Sequence, residues 1–244
     1  MIGLNSETKK DLLAGIRDSI PIALGYLSVS FGFGIMAVSD GLSVLQAVLI
    51  SMANLTSAGQ VAGLAVIAGS GSLIEMAMAQ FIINLRYSLM SISLSQKLDK
   101  TFTLPARLTG SFGITDEVFA AASTRKGDIS KHYLYGLILM PYFAWALGTL
   151  LGAAAGEILP EMLKNALGIV IYGMFTAIVF PAARKALGVA VVAASAIGLS
   201  CLIKYVPIFK GISSGFSIII CTIAAAVLGA ILFPVKDEEE GSAE

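Results

Sequence analysis

Polar side chains are scarce in this 244-residue chain, so those falling inside apolar runs are the groups available for chemistry. Between Ser51 and Gly63 the sequence reads SMANLTSAGQVAG, which puts Asn54, Thr56, Ser57 and Gln60 within seven residues. At 100° per residue Asn54 and Thr56 point about 200° apart, so no single helical stripe gathers these groups. A local break in the helix does. Unwound backbone at membrane depth is tolerated where it lines a cavity or is buried in protein, the setting in which transporters bind solutes. The alternative is plain helix packing, with Gly59-x-x-x-Gly63 allowing close approach and the hydroxyls bonding back to their own helix.

A second polar set lies in LIEMAMAQFIINLRYSLMSISLS, residues 73–95. Gln80, Asn84 and Tyr87 recur at i, i+4 and i+7, one face of a regular helix. Glu75 and Arg86 are eleven residues apart, about 16 Å along the axis, too far to pair with each other. Each needs another partner, or a place at a membrane interface. The third set is Thr115-Asp116-Glu117. Thr115 suits the N-cap of a helix whose first turn holds both acids, favourable against the helix dipole. The other reading is a carboxylate pair facing a cavity and able to carry a proton.

Other chemistries are weakly supported. Gly211-Ile212-Ser213-Ser214-Gly215 matches a nucleophile-elbow spacing, but it opens an apolar helix and His132 is the sole histidine available as a base. There is no phosphate-binding G-x-x-x-x-G-K-[ST] loop. Cys201 and Cys221 sit in separate apolar stretches and read as buried side chains. No enzyme activity, cofactor or metal site is expected.

The elements that must carry these groups are membrane helices. Hydrophobic residues make up 57% of the chain and charged ones 13%, with a mean hydropathy of +0.86. A soluble domain has about 25% charged residues, so this chain is expected to be an all-α polytopic integral membrane protein. The 16 basic residues balance the 16 acidic ones, leaving no excess to attract nucleic acid.

A bilayer span needs about 20 mostly apolar residues. Seven stretches qualify: Ser19–Val38, Val44–Ala68, Leu73–Leu94, Tyr133–Ala155, Leu163–Ala183, Leu187–Tyr205 and Ile212–Pro234. An eighth, Leu108–Ser123, is short and carries both acids, which suits a re-entrant or broken segment. The expected organisation is a polar segment at 1–18, a single transmembrane domain at 19–234 with a long basic loop at 95–132, and an acidic tail at 235–244. The first apolar run is longer than a signal-peptide core and is kept as a span. Loop Lys and Arg counts place Lys236 on the richer side whether or not 108–123 crosses, so the C-terminus is expected on the cytoplasmic side, with the N-terminal side open. Spans 1–3 and 4–6 have similar lengths, with Pro21 and Pro141 at related positions, and an inverted repeat is the candidate arrangement. Gly148, Gly152 and Gly156 form a face for close helix packing, within the chain or between copies in an oligomer.

On these residues the sequence resembles the AzlC family, the large subunit of bacterial branched-chain amino acid transporters. The resemblance runs from about Pro21 to Pro181. It rests on Ser57-Ala58-Gly59-Gln60, on Asn84-Leu85-Arg86-Tyr87 with Ser91, and on Thr115-Asp116-Glu117 with Phe119. Family members often have histidine where this chain has Tyr87. The resemblance implies a permease in the bacterial cytoplasmic membrane that exports leucine, isoleucine and valine, in some members methionine, by secondary transport. It also implies a small AzlD-type membrane subunit as partner. Combined with the residue pattern, it suggests that the Asn54–Gln60 break, Gln80, Asn84 and Tyr87 hold the substrate. Arg86, Asp116 and Glu117 would compensate charge or couple a proton. The alternatives are a transporter or channel for a different solute, a non-transporting membrane scaffold, and an intramembrane enzyme.

Overall fold

The computed structural model describes residues 6–160, 162–163, 169–209 and 211–234, which are helical with no named strand. Residues 1–5 of the N-terminal segment, 164–168 of the fifth span and the tail at 235–244 lie outside them. The chain divides into two compact units, one of residues 1–64 and 83–172, the other of residues 65–82 and 173–244.

The first unit is built on two long helices, α1 (Ser6–Ser39) and α7 (Lys131–Ile158). At 1.5 Å per residue they are about 51 and 42 Å long, more than a hydrocarbon core of about 30 Å. Part of the polar segment expected at 1–18 is therefore a helical extension of the first span. The two helices touch along their whole lengths because glycine removes the side chains between them. A Cβ on Gly15 would strike the backbone at Tyr133 and Leu137, and one on Gly34 the backbone at Thr149 and Ala153. On the other side, Gly136 faces Leu12 and Ile16, Gly148 faces Leu27 and Ser30, and Gly152 faces Phe31. The Gly148/Gly152/Gly156 face thus packs within the chain. Partner numbers rise together in both helices, so α1 and α7 run parallel.

Helices α2 (Val44–Ala53) and α3 (Ser57–Ala68) divide the second apolar stretch at Asn54-Leu55-Thr56. Ser43 starts α2 through a reciprocal capping box with Gln46. Helix α2 runs antiparallel to α7: Ser51 lies against Thr149, Met52 takes a bond from Tyr142, and Leu55 packs on Tyr26 and Trp145. Helix α3 then turns back. Gln60 bonds both Ser51 and Asn54, whereas in a continuous helix it would lie about 14 Å beyond Ser51. The stretch is a hairpin of half-length helices, not the single through-pass expected from hydropathy.

From Ile83 onward, α4 (Leu73–Ser95) belongs to the first unit and descends from the first break, with Asn84 on Thr56 and Leu94 beside Tyr133 and Leu134. Helices α5 (Leu104–Phe112) and α6 (Asp116–Thr124) form a second hairpin, which includes the stretch 108–123. Helix α5 climbs along α7, from Thr109 on Tyr135 to Phe112 beside Tyr142. Helix α6 returns with Val118 and Ala122 in a core with Tyr133, Leu134 and Leu137. The Lys97 ammonium closes its C-terminal end on the carbonyls of Ser123 and Arg125, at 2.6 and 2.8 Å.

These turn-backs correct the inverted relation expected between spans 1–3 and 4–6. A hairpin leaves the chain on the side it came from, so only α4 crosses between α1 and α7, and α7 repeats the direction of α1.

The second unit contains α8 (Val170–Lys185) from Gly173 on, α9 (Leu187–Tyr205) and α10 (Ser214–Leu232). The nucleophile-like spacing is the start of α10: Ser213 caps the helix and donates to Glu75, which also accepts from the Gly215 N–H at 2.8 Å. Glu75 is buried there. Helices α1, α7, α9 and α10 are each long and apolar enough to cross a membrane. Among the described residues, two of the apolar segments are hairpins of short helices.

The glycine packing gives a paired expectation for thermal unfolding in detergent. Gly152→Val forces a branched side chain into the Phe31 backbone and should cost about 1–3 kcal/mol or more. Gly25→Ala, in the same helix pair but with open space at its Cβ, should be neutral or stabilising by up to about 1 kcal/mol. Equal effects from the two would refute the close approach.

Candidate functional site

Tyr26 lies about midway along the apolar part of α1, and Trp145 midway along that of α7. Their rings meet edge to face, with centroids 4.9 Å apart and planes at 78°. Both hairpin tips close on this pair.

The first tip is held through Trp145. Its indole N–H donates to the Gln60 side-chain oxygen at 3.1 Å, while the Gln60 amide donates to the Asn54 carbonyl at 2.7 Å and to Ser51 Oγ at 3.1 Å. Ser51 Oγ also shares a hydrogen bond with Thr149 Oγ1 at 2.7 Å. Gln60 is 1% exposed and each polar atom of its amide is used, which fixes its orientation. At the break, Asn54 Oδ1 accepts from the Thr56 N–H, and the Thr56 hydroxyl donates to Asn84 Oδ1 at 2.7 Å. Ser57 opens α3.

The second tip is held through Tyr26. Its phenol oxygen lies 2.6 Å from both Thr115 Oγ1 and Glu117 Oε2. A phenol has one hydrogen, and the carboxylate is the stronger acceptor, so Tyr26 donates to Glu117 and the Thr115 hydroxyl donates to Tyr26. Thr115 is also the N-cap of α6, accepting from the Val118 N–H. Asp116 meets Arg86 of α4 at 2.9 Å, with side chains 38% and 45% exposed. Arg86 also donates to Tyr87 Oη at 3.0 Å and lies 4.8 Å from its ring centroid.

Asn54, Thr56, Ser57, Gln60, Asn84, Arg86, Tyr87, Asp116 and Glu117 thus all belong to the first unit. Gln80 belongs to the second, where its amide approaches Met76 Sδ at 3.8 Å. The sequence pattern missed Tyr26, Trp145, Ser51 and Thr149. One signal was available: the single tryptophan of the chain sits at the middle of a span, whereas tryptophans favour the interfaces.

At each tip a half-helix ends and another begins. The start of α3 has no acid in its first turn, while the start of α6 has two. The tips therefore present a positive helix end on one side and paired carboxylates on the other.

A family model described as AzlC protein matches residues 21–159, more than half of the chain. The chain belongs to the AzlC family. The matched residues contain both hairpins, α4, and the contact between α1 and α7 from Leu27 onward. The inner membrane protein YgaZ of Escherichia coli is 28% identical over 189 residues, covering 75% of this chain and 77% of the relative. An uncharacterized membrane protein of Archaeoglobus fulgidus is 34% identical over 169 residues, covering 68% of this chain and 74% of the relative. No solved structure matches. This AzlC-family chain is an integral membrane protein, embedded in a lipid bilayer.

Trp145→Phe keeps the ring against Tyr26 but leaves the buried Gln60 oxygen without its donor. It should lower unfolding stability by about 1–3 kcal/mol. In a Gln60→Ala background the same substitution should cost clearly less, and additive losses in that cycle would remove the bond from the account.

Proposed function

We propose that this chain is the permease subunit of a secondary transporter that exports branched-chain amino acids, with methionine as a further substrate. The observation that carries the reading is the meeting of two helical breaks at mid-depth, one with a bare helix N-terminus and one with acids. An amino acid zwitterion needs both. Its carboxylate would take the start of α3, with Asn54, Thr56, Ser57 and Asn84 around it, and its ammonium would face Asp116. Arg86 balances Asp116 between transport events, and Tyr87 keeps the Arg86 guanidinium in place. An apolar pocket for leucine, isoleucine or valine would select weakly among them, since one methylene is worth about 1–3 kcal/mol. A small AzlD-type membrane protein is the proposed partner, and the bacterial cytoplasmic membrane the proposed location.

Orientation follows from charge. Lys9, Lys10, Arg17, Lys97, Lys100, Arg107, Arg125, Lys126 and Lys131 all fall toward the end where α1 and α7 begin, where Asp11 pairs with Arg125 at 3.3 Å. The turn at 39–43, at the opposite end, carries Asp40 and no base. The positive end is assigned to the cytoplasm, with the N-terminus there. Three further crossings by α8, α9 and α10 would return the C-terminus to the same side.

Two measurements test this. Cells lacking their own exporters, preloaded with labelled leucine, valine or methionine, should lose label faster with this chain and its small partner. Asn84→Ala should lower that efflux at least tenfold at normal membrane levels, and unchanged efflux would discard the site. With Cys201 and Cys221 replaced by serine, a membrane-impermeant thiol reagent on intact cells should label Asp40→Cys and spare Lys126→Cys. The reverse pattern would invert the orientation.

A further inference from the structure

The charged groups at the second tip are not equivalent. Asp116 has a cation at 2.9 Å. Glu117, next in the chain, makes no ion pair among the described residues and takes its hydrogen bond from the neutral phenol of Tyr26. Its side chain lies at the surface of the first unit. Helix α1 presents Tyr26, α6 presents Asp116, and α4 presents Arg86 and Tyr87, both engaged with each other and Arg86 also with Asp116. Helix α7 meets α6 further along, through Tyr133, Leu134 and Leu137 against Val118 and Ala122.

We propose, building on the transport reading above, that Glu117 carries the coupled proton and that Tyr26 is the positioning residue transmitting its charge state to the two helical breaks. As a carboxylate, Glu117 accepts the phenol hydrogen in a charge-assisted bond, the Thr115 hydroxyl closes on the phenol oxygen, and the tip of the second hairpin is fixed to α1. When Glu117 takes up a proton, the charge that holds the phenol disappears and the tip is released. The proton is returned when the tip closes again, one per cycle, with no covalent bond changed elsewhere. Because the Tyr26 ring stands against Trp145, and Trp145 holds Gln60, displacement of the phenol reaches the first break as well. Asp116, balanced by Arg86 between transport events, serves the substrate, so the two neighbouring acids divide the work.

The test uses everted membrane vesicles from cells expressing the full chain with its small membrane partner, with labelled leucine as probe. Two readouts are compared: counterflow into vesicles preloaded with unlabelled leucine, without a pH gradient, and accumulation driven by an acid-inside gradient. The wild-type chain should do both. Glu117→Gln should retain counterflow while gradient-driven accumulation falls to the background of empty vesicles, and Glu117→Asp should recover part of it. Tyr26→Phe, which removes the phenol that transmits the charge state, should lower gradient-driven accumulation more than counterflow and shift the pH profile of transport.

Gradient-driven accumulation by Glu117→Gln in proportion to its counterflow would overturn the assignment. So would loss of both activities at normal membrane levels, which would place Glu117 in substrate binding. Wild-type counterflow without any effect of the gradient overturns proton coupling and leaves the transport reading standing. Absence of wild-type counterflow with leucine, valine and methionine overturns both.

Discussion

Everything in the first unit depends on how closely α1 and α7 approach. Two helices in lipid gain little from the hydrophobic effect, because the acyl chains are as apolar as leucine, and their association rests on van der Waals fit. Glycines on both helices supply that fit, with backbone lying where side chains would be. Close contact along a whole span fixes the register and the parallel direction of the pair. Parallel direction then dictates topology, because the chain between them must return to the side where it began. One crossing helix and two turn-back hairpins satisfy that requirement.

The hairpins in turn pose a problem peculiar to membranes, since a break exposes N–H and C=O groups that the bilayer cannot satisfy. The first tip solves it with side chains, Asn54 and Gln60 each serving the backbone of the break. The second does so with its own tight turn, where Gly113 and Ile114 donate back to Gly110 and Ser111, and with the Thr115 cap. The hairpins enter from opposite ends of the α1–α7 pair and stop at the same depth, where one aromatic contact serves both.

Much of this was legible in the sequence. Four polar residues that no helical stripe can gather at Asn54–Gln60 announced a break, and a short acidic segment after a basic loop announced the other. The Thr115 cap, the failure of Glu75 and Arg86 to pair, and the glycine face of the fourth span were read from spacing alone. Three things were not. Hydropathy cannot tell a broken helix that continues from one that folds back, because both have the same composition, and the direction of α7 depends on that choice. The role of Tyr26 was hidden because a tyrosine in an apolar run looks like core, and its partners are 89 and 91 residues away. Gln80 shares a helical face with Asn84 by period, but the boundary between the two units runs along α4 between them.

The second hairpin tip folds back to meet α4 beside the first break, where Asp116 pairs with Arg86. Arg86→Cys and Asp116→Cys can be introduced together in a chain whose own Cys201 and Cys221 are replaced by serine, with a protease site inserted between α4 and α5. Treatment with a short bifunctional thiol reagent in native membranes, followed by cleavage, measures the contact directly. The two fragments should stay joined until the link is reduced. Fragments that separate at once, although both cysteines react with a monofunctional reagent, would contradict the fold-back and the site built on it.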